Sequence, residues 1–279
     1  MFVKVEFACS VNDLGTRLKN TCAPNEDQRK VALEILEDDA FVGNAIDPKL
    51  PIYERLYAVS SVVDPSYAPS WYNRGVAYGE RGDVEGATRS YLRSIALHPE
   101  YTEALCNLGA MLRGRGDYEN AVKRFEQSLR TAPNNGMIRS NLAAALCEWG
   151  THVKHQGANG DKDGNKSKLL SASASTSLVS SDASPSPSEA EALGLHQDAL
   201  QKAIKLYEWA LSLEPRHPLV LYNLGVAYAE AGEKRKAIGM YELAITFAPA
   251  CAEAWNNLGV ILREVSHDTT HACFGIVTN

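Results

Sequence analysis

Residues 68–101, APSWYNRGVAYGERGDVEGATRSYLRSIALHPEY, run directly into residues 102–135, TEALCNLGAMLRGRGDYENAVKRFEQSLRTAPNN. The two lines carry one 34-residue pattern. Trp71, Gly75, Tyr78, Ala87, Tyr91 and Pro99 stand at positions 4, 8, 11, 20, 24 and 32 of the first copy. Leu105, Gly109, Leu112, Ala121, Phe125 and Pro133 stand at the same positions of the second. Large, small and large residues at helical spacing make one apolar stripe, and a small residue followed by an aromatic makes its partner. Gly75 and Gly109 let two helices approach, with Ala87 and Ala121 opposite them. Gly82-Asp83 and Gly116-Asp117 supply the turn between the helices. Pro99 and Pro133 close each unit.

Six positions agreeing in type and period are the signature of the tetratricopeptide repeat, a helix, a tight turn and an antiparallel second helix. The fold class expected is all-α, a right-handed superhelical solenoid with disordered insertions and a concave groove.

Extended backwards, the frame meets Tyr57 and Pro65, so residues 9–66 read as a degenerate repeat. Its first helix is expected at Ser10–Asn20, its second at 51–66, with an insertion at about 21–50 that is acidic and moderately helical over Asn25–Asp39. A third repeat, 136–217, opens with Asn141, Leu142, Ala143 and Leu146 and resumes at Ala203, Tyr207, Ala210 and Pro215. The interval from Ala121 to Ala203 is far longer than one period, so a single long insertion separates the two helices of this repeat. The centre of that insertion, about 157–188, is rich in Gly, Ser, Asp and Lys; it buries too little to offset its ordering entropy and is expected to be disordered. Residues 218–264 give one complete repeat and the first helix of the next, and 265–279 an irregular tail. Both insertion-bearing repeats have long first helices sharing a segment, Asp13-Leu14-Gly15-Thr16-Arg17-Leu18-Lys19 beside Glu148-Trp149-Gly150-Thr151-His152-Val153-Lys154.

A net charge of −6 argues against broad attraction to nucleic acid or acidic membrane. No apolar run approaches the roughly 20 residues that span a bilayer. The six cysteines (Cys9, Cys22, Cys106, Cys147, Cys251 and Cys273) lack paired spacing and read as reduced thiols of a cytoplasmic or nuclear protein.

Position 6 of every first helix in this frame is asparagine: Asn73, Asn107, Asn141, Asn223 and Asn257. Helix propensity does not favour asparagine. A primary amide has one acceptor and two donors, and so pairs with the C=O and N–H of an extended peptide whatever its sequence. Position 6 lies off the packing stripe and faces the groove, so the five form a candidate peptide-binding ladder. The alternative is that these amides bridge neighbouring helices.

The asparagines, with YNLGVAY (222–228), EAWNNLGVILRE (253–264) and EALCNLGAMLRGRGDYENAVKRFEQSL (103–129), resemble the repeat region of the protein O-glycosyltransferases, nearest the SPINDLY type whose relatives include the O-GlcNAc transferases. The likeness spans roughly 9–264 without the insertions. It implies a superhelix that selects protein substrates ahead of a C-terminal domain transferring GlcNAc or fucose from a sugar nucleotide to Ser or Thr. This sequence shows no α/β alternation or Gly-rich nucleotide loop, so no catalytic residue carries over and no cofactor is expected. The last first helix has no partner helix or evident polar cap, so the chain reads as a piece of a longer array, the alternative being an irregular cap at Val265–Val277. A freestanding, non-catalytic adaptor is the alternative. A chaperone adaptor ranks last, because Tyr72 and Val76 stand where its basic clamp would be.

Weaker features complete the reading. His267, His271 and Cys273 have no fourth ligand, so no metal is expected. His152 and His155 read as solvated. Ser184-Pro185-Ser186-Pro187-Ser188 reads as a linker, and Lys123-Arg124 and Lys234-Arg235-Lys236 as solvated helix faces. Arg74 replaces the usual leucine of position 7, and Arg139 the apolar residue of position 4. The partners expected are extended protein or peptide segments, and a homodimer is also admitted.

Overall fold

The computed structural model describes residues 2–21, 26–37, 47, 49–159 and 187–277. Among these there are twelve helices and no strand: α1 (Phe2–Asn20), α2 (Glu26–Glu37), α3 (Ile52–Val63), α4 (Ala68–Glu80), α5 (Val84–Leu97), α6 (Thr102–Gly114), α7 (Tyr118–Thr131), α8 (Gly136–Asn159), α9 (Pro187–Leu213), α10 (Pro218–Glu230), α11 (Lys234–Phe247) and α12 (Ala252–Val277). They form two compact units, one through Ile138 and one from Arg139. The fold is an all-α array of tetratricopeptide-type hairpins.

In the first unit, α4 with α5 and α6 with α7 make the two regular hairpins. A Cβ on Gly75 would lie 2.6 Å from the Tyr91 ring, and one on Gly109 would lie 2.9 Å from Phe125. The position-8 glycines are therefore where the helix backbones meet the position-24 aromatics. Ala87, Tyr91, Ala121 and Phe125 are buried. The turns use Gly82 at φ +76° and Gly116 at φ +79°, the left-handed region open to glycine. Asp83 then caps α5, accepting from Gly86 N at 2.8 Å, and Asp117 caps α7.

The N-terminal hairpin pairs α1 with α3 antiparallel. Gly15 meets Tyr57, while Ser60 Oγ donates to Ala8 O at 2.7 Å. Ser94 Oγ donates likewise to Ala68 O (3.0 Å) and Ser128 Oγ to Thr102 O (3.2 Å). These buried serines recur once per repeat period. They tie each second helix to the start of its first and set Ala8 as position 1 of the N-terminal repeat. The first helix begins at Phe2, well upstream of the expected Ser10, because Ala8 and Val11 pack into the core. Within the expected insertion, α2 adds Ala32 and Leu36 to a cluster with Val11, Leu56 and Val59.

In the second unit, α9 packs on α10, α10 on α11, and α11 on α12. The ranges of α10 and α11 reproduce those of α4 and α5 at one constant displacement, Ala68 answering to Pro218 and Val84 to Lys234. Helix α12 starts at the same displacement from α6, Thr102 answering to Ala252. Gly225 meets Tyr241 as Gly75 meets Tyr91, and Gly232 turns the chain at φ +77°. The shared segment of the long first helices is also used identically. Gly150 meets Tyr207 as Gly15 meets Tyr57, and the Tyr207 hydroxyl pairs with Thr151 Oγ1 (3.0 Å) as Tyr57 OH does with Thr16 Oγ1 (3.4 Å).

Three expectations need correction. The centre of the insertion after the third first helix, expected at about 157–188, has helical flanks, α8 continuing to Asn159 and α9 beginning at Pro187; residues 160–186 lie outside the described residues. The tail is not irregular. Helix α12 continues to Val277, because Ser266 stands where Gly82, Gly116 and Gly232 turn the other hairpins and no proline follows. Finally, Gly150, not Ala143, meets the α9 tyrosine, so the α8–α9 pairing is two turns later than the 34-residue frame places it.

Candidate functional site

Four of the five asparagines are held the same way. Each is half-buried and donates from Nδ2 to a side chain of the preceding hairpin. Asn73 reaches Asn12 Oδ1 at 2.9 Å and Thr16 Oγ1 at 3.5 Å. Asn107 reaches Tyr91 OH at 3.4 Å, Asn223 reaches Cys147 Sγ at 3.4 Å, and Asn257 reaches Tyr222 OH at 3.3 Å. In the packing frame Asn12, Cys147 and Tyr222 are all position 5 of the preceding repeat, so one local rule places the amides. Asn73 Nδ2 makes two such bonds, and the amides of Asn107 and Asn257 also meet the phenols of Tyr72 and Tyr241. None of these bonds uses the amide oxygen, which is an acceptor.

Asn141 is different. It is half-buried on α8, six residues before Cys147, which is the residue that meets Asn223. At 1.5 Å per residue it stands roughly 9 Å along the helix from that contact. Glu148 takes position 6 in the frame that Gly150 sets, just as Asp13 does in the frame of Gly15. The structure therefore tethers Asn73 and Asn107 within the first unit and Asn223 and Asn257 within the second, while Asn141 stands elsewhere on α8.

Tyrosines floor these positions. Tyr72 lies 6.1 Å from Tyr91 at 42° and 5.2 Å from Tyr101, and Tyr222 lies 6.1 Å from Tyr241 at 44°. Burial pushes the phenols of Tyr91 and Tyr241 up to about 12, against the smaller opposing effect of the Asn107 and Asn257 amides. Tyr207 is likewise pushed to about 12 by burial, with Thr151 opposing. All are neutral hydroxyls at physiological pH, able to donate and accept. Burial also raises the thiols of Cys106 and Cys147, so neither is an activated nucleophile.

An ion pair brackets each insertion-bearing hairpin. Lys19 Nζ meets Glu80 Oε1 at 2.6 Å, and Lys154 Nζ meets Glu230 Oε1 at 2.9 Å. The shared segment pointed to Lys19 and Lys154, whereas nothing in the sequence marked Asn12 or Cys147 as amide partners. Lys123 pairs with Glu119, Lys234 with Glu264 and Lys236 with Glu233. His152 lies 2.8 Å from Gln156 Nε2 on the exposed side of α8. No metal-binding group of His, Cys, Asp or Glu occurs among the described residues, and the side chains of His267, His271 and Cys273 lie outside them. Residues 184–186 of the Ser-Pro stretch lie outside them too. No described helix is long and apolar enough to cross a membrane.

Models of the tetratricopeptide repeat match residues 72–136 and 195–259. No curated protein matches the chain. Solved structures similar to it include MamA (19% identity, 70% of this chain and 81% of that one, TM-score 0.44). PilF of Pseudomonas aeruginosa aligns at 14% identity over 98% of this chain and 90% of its own, TM-score 0.46. YrrB, described as a tetratricopeptide-repeat protein with an unusual peptide-binding site, aligns at 18% over 72% and 96%, TM-score 0.34.

Proposed function

We propose that this chain is a protein-interaction scaffold that holds extended peptide segments through its position-6 amides. The observation that supports the reading is the shared tether. Asn73, Asn107, Asn223 and Asn257 each donate from Nδ2 to the preceding hairpin. Those bonds fix the amide plane, and none of them uses the C=O, which a peptide N–H can meet. Structural bridging and peptide holding are then two uses of one side chain.

Asn73 and Asn107 stand on α4 and α6, and Asn223 and Asn257 on α10 and α12, the first helices of successive hairpins, so an extended chain running across them meets successive amides. Asn73 with Asn107, and Asn223 with Asn257, make two equivalent pairs; Asn141 adds a further amide on α8. Backbone pairing alone selects extended conformation rather than sequence. The likeness of 103–129, 222–228 and 253–264 to protein O-glycosyltransferase repeats carries the reading further, to the substrate-selecting part of a SPINDLY-like enzyme. A freestanding adaptor would use the same amides.

The test is a random-peptide display selection on the whole chain, followed by affinity measurement on the selected peptide. Asn107→Ala with Asn223→Ala removes two charge-neutral pairing points, each contributing about 0.5–1.5 kcal/mol, so binding should weaken roughly 5- to 150-fold with unchanged helicity. Unchanged affinity in that double variant, or failure to select any peptide, overturns the proposal.

A further inference from the structure

Between α4 and α5 lies a cavity of about 200 Å³ lined by Trp71, Arg74, Tyr78, Gly86, Arg89 and Ser90. Internal comparison shows how unusual it is. The residues at the corresponding places in the hairpin of α10 and α11 are Leu221, Leu224, Tyr228, Lys236, Gly239 and Met240. There Leu221 and Leu224 are buried core, and the ammonium of Lys236, which stands where Gly86 does, sits 5.1 Å over the Tyr228 ring. The hairpin of α6 and α7 likewise buries Leu105 and Leu108. Of these three hairpins, only α4–α5 replaces the two packing leucines, by Trp71 and Arg74.

Arg74 is tightly placed. Its guanidinium lies 5.0 Å from the Trp71 ring and 5.8 Å from the Tyr78 ring, donating to Ser61 Oγ at 2.8 Å and to Tyr78 OH at 3.2 Å. Those bonds occupy two of five N–H donors. It is half-buried, and no described carboxylate pairs with it. Arg93 stands 5.9 Å over the same indole, again with no carboxylate partner among the described residues. Arg89 completes the rim on an exposed side chain, held by Glu85 at 3.5 Å in a pair that solvent screens. Arg81, by contrast, is committed to the buried carboxylate of Glu54 at 3.3 Å. A half-buried cation without a counter-charge, aligned by two aromatic faces beside an open cavity, is arranged for an oxyanion.

We propose that this cavity is an anion-binding pocket taking the carboxylate or phosphomonoester of a peptide side chain. Arg74 supplies the fixed donors, Arg89 an exposed one on the lining, and Arg93 a second cation against the Trp71 ring. A Cβ at Gly86 would come 2.6 Å from Asp83 Oδ2 and 2.9 Å from the Tyr78 ring, so only glycine fits that wall, where the Asp83 carboxylate is engaged as the cap of α5. Its volume is several times the roughly 30 Å³ share of one water, enough for a side-chain head group. The pocket is separate from the asparagine positions and stands whether or not those bind peptide.

The probes are phenyl phosphate, benzoate and benzyl alcohol, titrated into the whole chain at low salt. The readout is the Trp71 indole N–H resonance, one of four tryptophans and identified by its loss in Trp71→Phe. That N–H donates to Pro65 O at 3.0 Å and reports on the ring's position. A saturable shift with phenyl phosphate, benzoate or both supports the pocket, and the stronger of the two identifies the source as phosphomonoester or carboxylate. Arg74→Leu restores the residue that the α10–α11 hairpin uses, so it should fold, and it should weaken binding at least about tenfold. Arg89→Ala, on an exposed side chain, should weaken it about threefold and leave unfolding unchanged. No anion-dependent shift, an equal shift with benzyl alcohol, or undiminished binding in Arg74→Leu overturns the proposal.

Discussion

The contact between Gly150 and Tyr207 fixes how the third repeat pairs its helices, and Gly150→Ala tests it. The added Cβ would lie 2.7 Å from Tyr207 Cε1, 3.0 Å from Cζ and 3.1 Å from Cδ1. Tyr207 cannot swing aside cheaply: it is 1% exposed and its hydroxyl is bonded to Thr151. Overpacking of this kind costs about 1–3 kcal/mol. Alanine also gains about 1 kcal/mol over glycine in any helix, which masks part of the loss. Gly239→Ala, on α11 of the same unit with nothing within 4 Å of its added Cβ, carries the propensity gain alone. The difference between the two variants in urea unfolding isolates the packing cost, and Gly150→Ala should be the less stable by about 1–3 kcal/mol. Equal stabilities would refute the placement of α9 on Gly150.

Other consequences are open to measurement. Ser94→Ala removes a buried donor to Ala68 O and should cost about 0.5–1.5 kcal/mol in denaturant unfolding. Glu230→Gln breaks the Lys154 pair, whose glutamate is 40% exposed, and should cost under about 1 kcal/mol, less in high salt. Tyr91, Tyr207 and Tyr241 are held neutral to about 12 by burial, whereas the unfolded chain ionises them near 10. Their contribution to stability is therefore complete below pH 10 and is lost as pH rises from 10 towards 12; circular dichroism against pH should show alkaline unfolding accompanied by phenolate absorbance. Among the described cysteines, the buried Cys106 and Cys147 should react with a thiol reagent at neutral pH more slowly than Cys9 and Cys251, as mass spectrometry of the labelled peptides would show.

The regular hairpins are legible in the sequence because their signals are local. The six-position pattern of 68–135 sets two stripes and a turn within a single period, and Gly82-Asp83 and Gly116-Asp117 name the turn outright. The long helices are less legible because their partners are remote in sequence. Tyr207 lies 56 residues from Thr151, so the repeat frame has nothing to count across and places Ala143 where Gly150 belongs. The clue is present in the Gly15-Thr16 and Gly150-Thr151 likeness, which is a packing motif with the same tyrosine partner each time. The tail departs from its reading for the opposite reason: a repeat that lacks its turn glycine continues as helix. Of the asparagines, the bridging given as the alternative is what Asn73, Asn107, Asn223 and Asn257 do, whereas the identity of their tethers is not readable, because Asn12, Cys147 and Tyr222 come from a neighbouring hairpin.

The central claim is that the position-6 amides touch the bound chain, and the side-chain NH₂ resonances of Asn107 and Asn223 report that contact directly. With asparagine-labelled protein and a display-selected peptide, the account predicts that both pairs of resonances shift and saturate together with binding. Saturation of other signals while those of Asn107 and Asn223 stay fixed would contradict it.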